Sequence, residues 1–120
     1  MKRDFELIRS LLFYFEEKPD TKFVECPDIE GYDELTIKYH LLLLAQARLI
    51  DYEPELTKTG RIIRVIAFNL TWDGHEFLDA IRNEGTWNKI KAFVKEKSAS
   101  LSFDVIKAVA LHGVKAMIGN

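Results

Sequence analysis

His75-Glu76 comes nearest in this chain to a known chemical signature. A zinc protease carries His-Glu followed by a second histidine four positions after the first, which on a helix puts two imidazoles on one face with the glutamate as base. Here Asp79 occupies the position of the second histidine, so the motif is broken and no metal is expected. His75 is expected to pack or hydrogen-bond locally near a helix start instead. Tyr39-His40 offers acid–base groups, yet no nucleophile or orienting carboxylate of known pattern lies nearby in sequence. Cys26 stands between Glu25 and Pro27-Asp28, an acidic setting that does not stabilise a thiolate. No glycine-rich phosphate loop or dinucleotide fingerprint is present. These observations point away from an enzyme and away from a cofactor.

Binding chemistry is better supplied. Between Pro54 and Arg64 the cations Lys58, Arg61 and Arg64 face only Glu55. Cations grouped in this way grip phosphates without reading bases. Thr36, Lys38 and His40 fall on one predicted helix, where such side chains would reach base edges in a major groove. Lys2 and Arg3 would add phosphate contacts. Against double-stranded DNA stand Asp33 and Glu34 at the start of that helix, and Leu43 and Ala47 on half of its free face. A protein partner fits as well, through the acidic stretch Glu16 to Glu34, where eight acidic residues meet only Lys18 and Lys22.

The elements that must position these residues follow from periodicity. Phe5, Ile8, Leu11, Leu12 and Phe15 recur at helical spacing, with Asp4 to cap the helix and Pro19 to stop it. Lys22 to Glu25 reads as a short strand before a loop. Asp33 caps a second helix from Glu34 to about Arg48, apolar around most of its circumference and so expected to lie centrally. The narrow face left to solvent would carry Thr36, His40, Leu43 and Ala47. Leu49 to Tyr52 and Ile62 to Leu70 read as a hairpin whose turn region, Pro54 to Gly60, has a basic tip. Thr71 caps a helix over 72–83, and Thr86 caps another containing Trp87, Ile90, Phe93 and Val94. A last helix is predicted from about Phe103 to Ile118.

At 120 residues, 48% of them apolar, the chain suits one globular domain with a real core. A formal charge of -2 gives no global positive field, so any anion-binding face must be local. The lone cysteine excludes an intramolecular disulfide and fits a reducing compartment. Apolar runs are too short to span a bilayer, and the N-terminus reads as an amphipathic helix rather than a signal peptide. A cytoplasmic protein that does not enter a membrane is expected.

Three stretches also carry a resemblance. They are Met1-Lys2-Arg3-Asp4 with Leu7-Ile8-Arg9; Gly31-Tyr32 with Tyr39-His40-Leu41, Leu43-Leu44 and Leu49-Ile50; and Leu70-Thr71-Trp72-Asp73-Gly74-His75-Glu76-Phe77-Leu78-Asp79 with Ile81-Arg82-Asn83 and Trp87-Asn88-Lys89. Together they resemble a bacterial and phage family known only as a domain of unknown function. The resemblance implies a winged-helix-like fold and no assigned activity. Arg48 stands where small winged-helix repressors usually have glycine at the helix end.

The expected architecture is therefore α+β and winged-helix-like: helix, short strand, helix, β-hairpin wing, helix. Two further C-terminal helices follow, residues 1–84 forming the winged-helix part and 85–120 an extension within one structural domain. Trp87, Phe93, Val105, Val109, Val114 and Met117 make that extension rich in apolar surface. It would fold back on the rest or form a homodimer interface.

Overall fold

Asp4 begins the first helix by the rule its sequence suggested. In the computed structural model, which describes residues 1–97, its carboxylate accepts the backbone N–H groups of Glu6 and Leu7 at the head of α1, Phe5–Glu17. Leu7, Ile8, Leu11, Leu12 and Phe15 are buried along one face of α1, which lies against the second helix and the hairpin. Asp33 caps that second helix, α2, Glu34–Gln46, by accepting the N–H of Thr36. Ile37, His40, Leu41, Leu44 and Ala45 face the core. Between Lys18 and Asp33 the chain forms no further helix, and the expected strand over Lys22–Glu25 shrinks to a single bridge between Val24 and Ala67.

The hairpin pairs β1, Ile50–Leu56, with β2, Ile62–Leu70, in antiparallel register. β1 runs through Pro54, which the sequence placed in the turn region. The register explains the difference. Ala67 exchanges both backbone hydrogen bonds with Val24 on the far side of β2, so by strand alternation Val65 also points its backbone groups away from β1. Pro54 sits opposite Val65, where no ladder bond is made, and its missing N–H costs nothing there. The tip from Thr57 to Arg61 closes through Thr57 N–H to Arg61 carbonyl and Gly60 N–H to Thr57 carbonyl, with Gly60 at φ 87°. That is a type I turn with a glycine bulge.

Arg48 makes the turn from α2 into β1 in the left-handed region, at φ 62°. Hydrogen bonds from the N–H groups of Ala47, Arg48 and Leu49 to the last turn of α2 close the helix around it. The turn is therefore as tight as a glycine would make it, but a side chain carries the conformational cost. Arg48 is exposed, so Arg48→Gly is expected to stabilise the protein by about 1 kcal/mol in urea unfolding. Arg48→Ala, which keeps the steric cost, should stay within about 0.5 kcal/mol of the parent.

Residues 1–75 form one compact unit and a second begins at Glu76. Across that boundary runs α3, Trp72–Ile81, started by Thr71, whose Oγ1 accepts the N–H of Gly74. After it comes α4, Glu84–Lys97. Its cap is Asn83, which takes the N–H of Thr86 on its side-chain oxygen, so the helix starts three residues before the Thr86 cap that the sequence suggested. Buried apolar side chains of the second unit are Phe77, Leu78, Ile81, Trp87 and Ile90. The predicted helix from Phe103 lies outside the described residues. Among the described residues the protein is thus α+β, with four helices and one two-stranded antiparallel sheet. None of the described helices is long and apolar enough to cross a membrane.

Candidate functional site

His40 is the first site residue that the structure relocates. It is fully buried, not on the free face of α2. Its Nδ1 lies 2.8 Å from the Thr36 carbonyl, an oxygen that can only accept, so Nδ1 carries the proton. Nε2 then accepts the backbone N–H of Asp4, also at 2.8 Å. The phenol of Tyr32 donates to the other oxygen of Asp4 at 2.8 Å. Asp4 thereby gathers the head of α1, the loop before α2 and α2 itself into one network. With both nitrogens engaged and no solvent access, His40 cannot reach a base edge. Thr36 is half-buried at the capped end of α2, its N–H held by Asp33.

Burial, and then the hydrogen bond to Asp4, push the Tyr32 phenol up from 10.0 to about 12. An acid whose folded value is raised stabilises the fold fully below its ordinary value and loses that contribution as pH climbs through the raised one. Ultraviolet titration should therefore show one tyrosine ionising near pH 12, absent in Tyr32→Phe, with stability falling between about pH 10 and 12. Ionisation of that phenol in the ordinary range would contradict the network.

Rotating α2 to bury His40 turns Leu35, Tyr39 and Leu42 outward. Leu35 is 68% exposed. Together with Ile62, Ile63 and Val65 of β2 these side chains line a groove of about 480 Å³ between α2 and the hairpin. Ile63 is 59% exposed. A groove this size, mostly apolar with a few charged groups at the rim, is the ordinary form of a binding site. Its charged rim consists of Glu25, Lys38 and Arg64. Lys38 pairs with Glu34 at 2.7 Å, one helical turn away. Arg64 pairs with Glu25 at 3.5 Å and with Glu55 across the hairpin. Of the residues selected for DNA contact, the structure brings Lys38 and Arg64 to this one groove. Lys58 and Arg61 stand exposed at the hairpin tip beyond it.

Residues 2–100 match the family described as hypothetical protein (DUF2513). The chain belongs to that family. An uncharacterized protein of Haemophilus influenzae (strain ATCC 51907 / DSM 11121 / KW20 / Rd) is 42% identical over 122 residues, covering 98% of this chain and 99% of the relative. No solved structure matches the chain.

The stretch of this DUF2513 chain that carries the resemblance most specifically turns out to hold the fold. Thr71 donates its hydroxyl to the Arg48 carbonyl at 2.7 Å and its N–H to the Leu49 carbonyl at 3.0 Å. Gly74 lies so close to Leu49 that a Cβ there would sit 2.1 Å from the Leu49 oxygen. The start of α3 is thus seated on the left-handed turn at Arg48. His75 is exposed rather than packed, and Asp79 accepts from Arg82 at 2.8 Å. Among the described residues no group of three or more His, Cys, Asp or Glu side chains is placed so that it could hold a metal ion. Burial first, then the Glu34 carboxylate, raise the Cys26 thiol above its ordinary value.

Trp87, assigned to a homodimer interface, is buried to 1% exposure within its own chain and offers no face to a second copy. Phe93 is half-buried. Val105, Val109, Val114 and Met117 lie outside the described residues. Sequence reasoning passed over Leu35, Tyr39, Leu42, Ile62, Ile63 and Val65 as binding residues. The available signal was α2 itself, which is apolar on more sides than one core can cover.

Proposed function

We propose that this protein is a non-catalytic interaction module of winged-helix layout, working in the cytoplasm, which binds a polypeptide in the groove between α2 and β2. The order α1, α2, β1–β2 hairpin, α3 supports the layout, with α2 in the place of the recognition helix and the hairpin as wing. One observation carries the polypeptide reading. The outward face of α2 presents Leu35, Tyr39 and Leu42, while Lys38 beside them is held by Glu34. A helix that reads a major groove needs donors and acceptors on that face. This one offers side chains that gain most from burial against apolar groups.

Duplex DNA is the second reading, favoured by Lys58 and Arg61 at the exposed tip of the wing. Two titrations separate the readings. A dodecapeptide library panned on the full chain should enrich ligands whose affinity falls at least about tenfold with Leu35→Asp. A labelled mixed-sequence duplex at low salt should show no saturable binding. Salt-sensitive duplex binding that Lys58→Glu weakens and Leu35→Asp leaves intact would overturn the polypeptide reading in favour of DNA.

A further inference from the structure

The two outer edges of the hairpin are treated very differently. β1 carries Asp51, Glu53, Pro54 and Glu55, and charges with a proline are what blunt a strand edge against pairing. Among the described residues β2 is met on its outer edge only at Ala67, by Val24. Directly after Val24 the chain bends through Glu25 and Cys26 and turns inward to the buried Pro27. Val65, two residues before Ala67, directs its N–H and carbonyl to that same outer side, because backbone direction repeats every second residue. The edge of β2 beyond the Val24 bridge is therefore a strand position that the chain begins to fill and then leaves. It opens beside the apolar groove, whose opposite wall is α2.

On this basis, and resting on the polypeptide reading above, we infer that the groove takes an extended segment of a partner protein as an added strand, antiparallel to β2 and continuing the line of Val24. Antiparallel addition next to a helix gives main-chain hydrogen bonds on one side and pockets for alternate side chains on the other. The partner's inward residues, every second one, would be apolar to match Leu35, Tyr39, Leu42 and Ile63. A strand in this direction runs from Ala67 toward Ile62 and leaves the groove at the wing tip. There Lys58 and Arg61 stand exposed, and Glu55, the nearest acid in sequence, is engaged by Arg64. The C-terminal end of the segment is accordingly acidic. A helix laid in the same groove would cover the Val65 backbone groups without pairing them, which a strand avoids.

The test uses the full chain and one dodecapeptide enriched as above. On binding, exchange of the Val65 amide should slow at least about tenfold. N-methylation of the peptide at alternate amides should abolish binding in one phase of the alternation and spare it in the other. Lys58→Glu with Arg61→Glu should weaken an acid-ended peptide by about tenfold and leave its amide-ended neutral counterpart unchanged. A Leu35-dependent peptide that leaves Val65 exchange unaltered, or whose apolar residues follow helical spacing, overturns strand addition while the groove reading stands. Absence of any Leu35-dependent peptide overturns both. Affinity unaffected by the double charge reversal overturns the acidic end.

Discussion

Gly74→Ala is expected to cost about 3 kcal/mol of folding stability, although it places a better helix former inside a helix. On propensity alone alanine would gain about 1 kcal/mol over glycine in α3. The added methyl group would stand 2.1 Å from the Leu49 oxygen and 3.3 Å from Cβ of Leu70. The first is a backbone atom, already accepting the N–H of Thr71, and it belongs to the turn that Arg48 closes. It cannot yield without opening the seat between α2, β1 and α3. Steric cost therefore outweighs propensity. Gly60→Ala is the informative comparison, since nothing lies within 4 Å of its new Cβ and only its φ of +87° opposes the change. That variant should lose about 1 kcal/mol. Urea unfolding followed by circular dichroism measures both. A Gly74→Ala midpoint at or above the parent's would show that α3 does not rest on Leu49 at all.

The same seat shows which parts of the fold could be read from residues alone. Thr71 as a cap, Asp4 and Asp33 as caps, and the helical spacing of Ile8, Leu11, Leu12 and Phe15 are local features, and each holds in the structure, while Phe5 of the same stripe is only half-buried and Leu7 goes inward instead. Two of the three misread boundaries were also local in origin. Pro54 was taken as turn chemistry, but its strand position has no ladder bond to lose. Asn83 and Thr86 are both good caps three residues apart, and spacing cannot choose between them. The third, Lys22 to Glu25, has strand-like residues but, among the described residues, pairs only through the Val24–Ala67 bridge.

The groove is a harder case. Periodicity locates a buried face only when the opposite face is polar. In α2, Ile37, Leu41 and Leu44 on one side and Leu35, Tyr39 and Leu42 on the other satisfy it equally. What decides the rotation is His40, a polar residue that goes inward because its partner is Asp4, thirty-six positions away. No spacing within the helix announces that bond. Once it is made, the apolar residues left outside define the groove. Of the site residues expected from charge and polarity, Lys38 and Arg64 are paired and His40 is turned inward, while Lys58 and Arg61 stay exposed at the tip.

That bond makes His40 the second position where a single change should be severe. At the head of α1, Asp4 satisfies the Glu6 and Leu7 N–H groups, but its own N–H needs an acceptor. In a capping box the residue three positions on, a glutamate or glutamine, supplies it. Leu7 occupies that position here and cannot. Nε2 of His40 does so from another helix. His40→Ala should therefore cost about 3 kcal/mol, combining a cavity with an N–H left without its partner. His40→Leu refills most of the space and isolates the second contribution, at about 2 kcal/mol. Combining His40→Leu with Tyr32→Phe should give less than the sum of the two, because each loosens the same aspartate. Additive losses would mean that Asp4 does not link them, and a His40→Leu variant as stable as the parent would remove His40 as the residue that sets the rotation of α2.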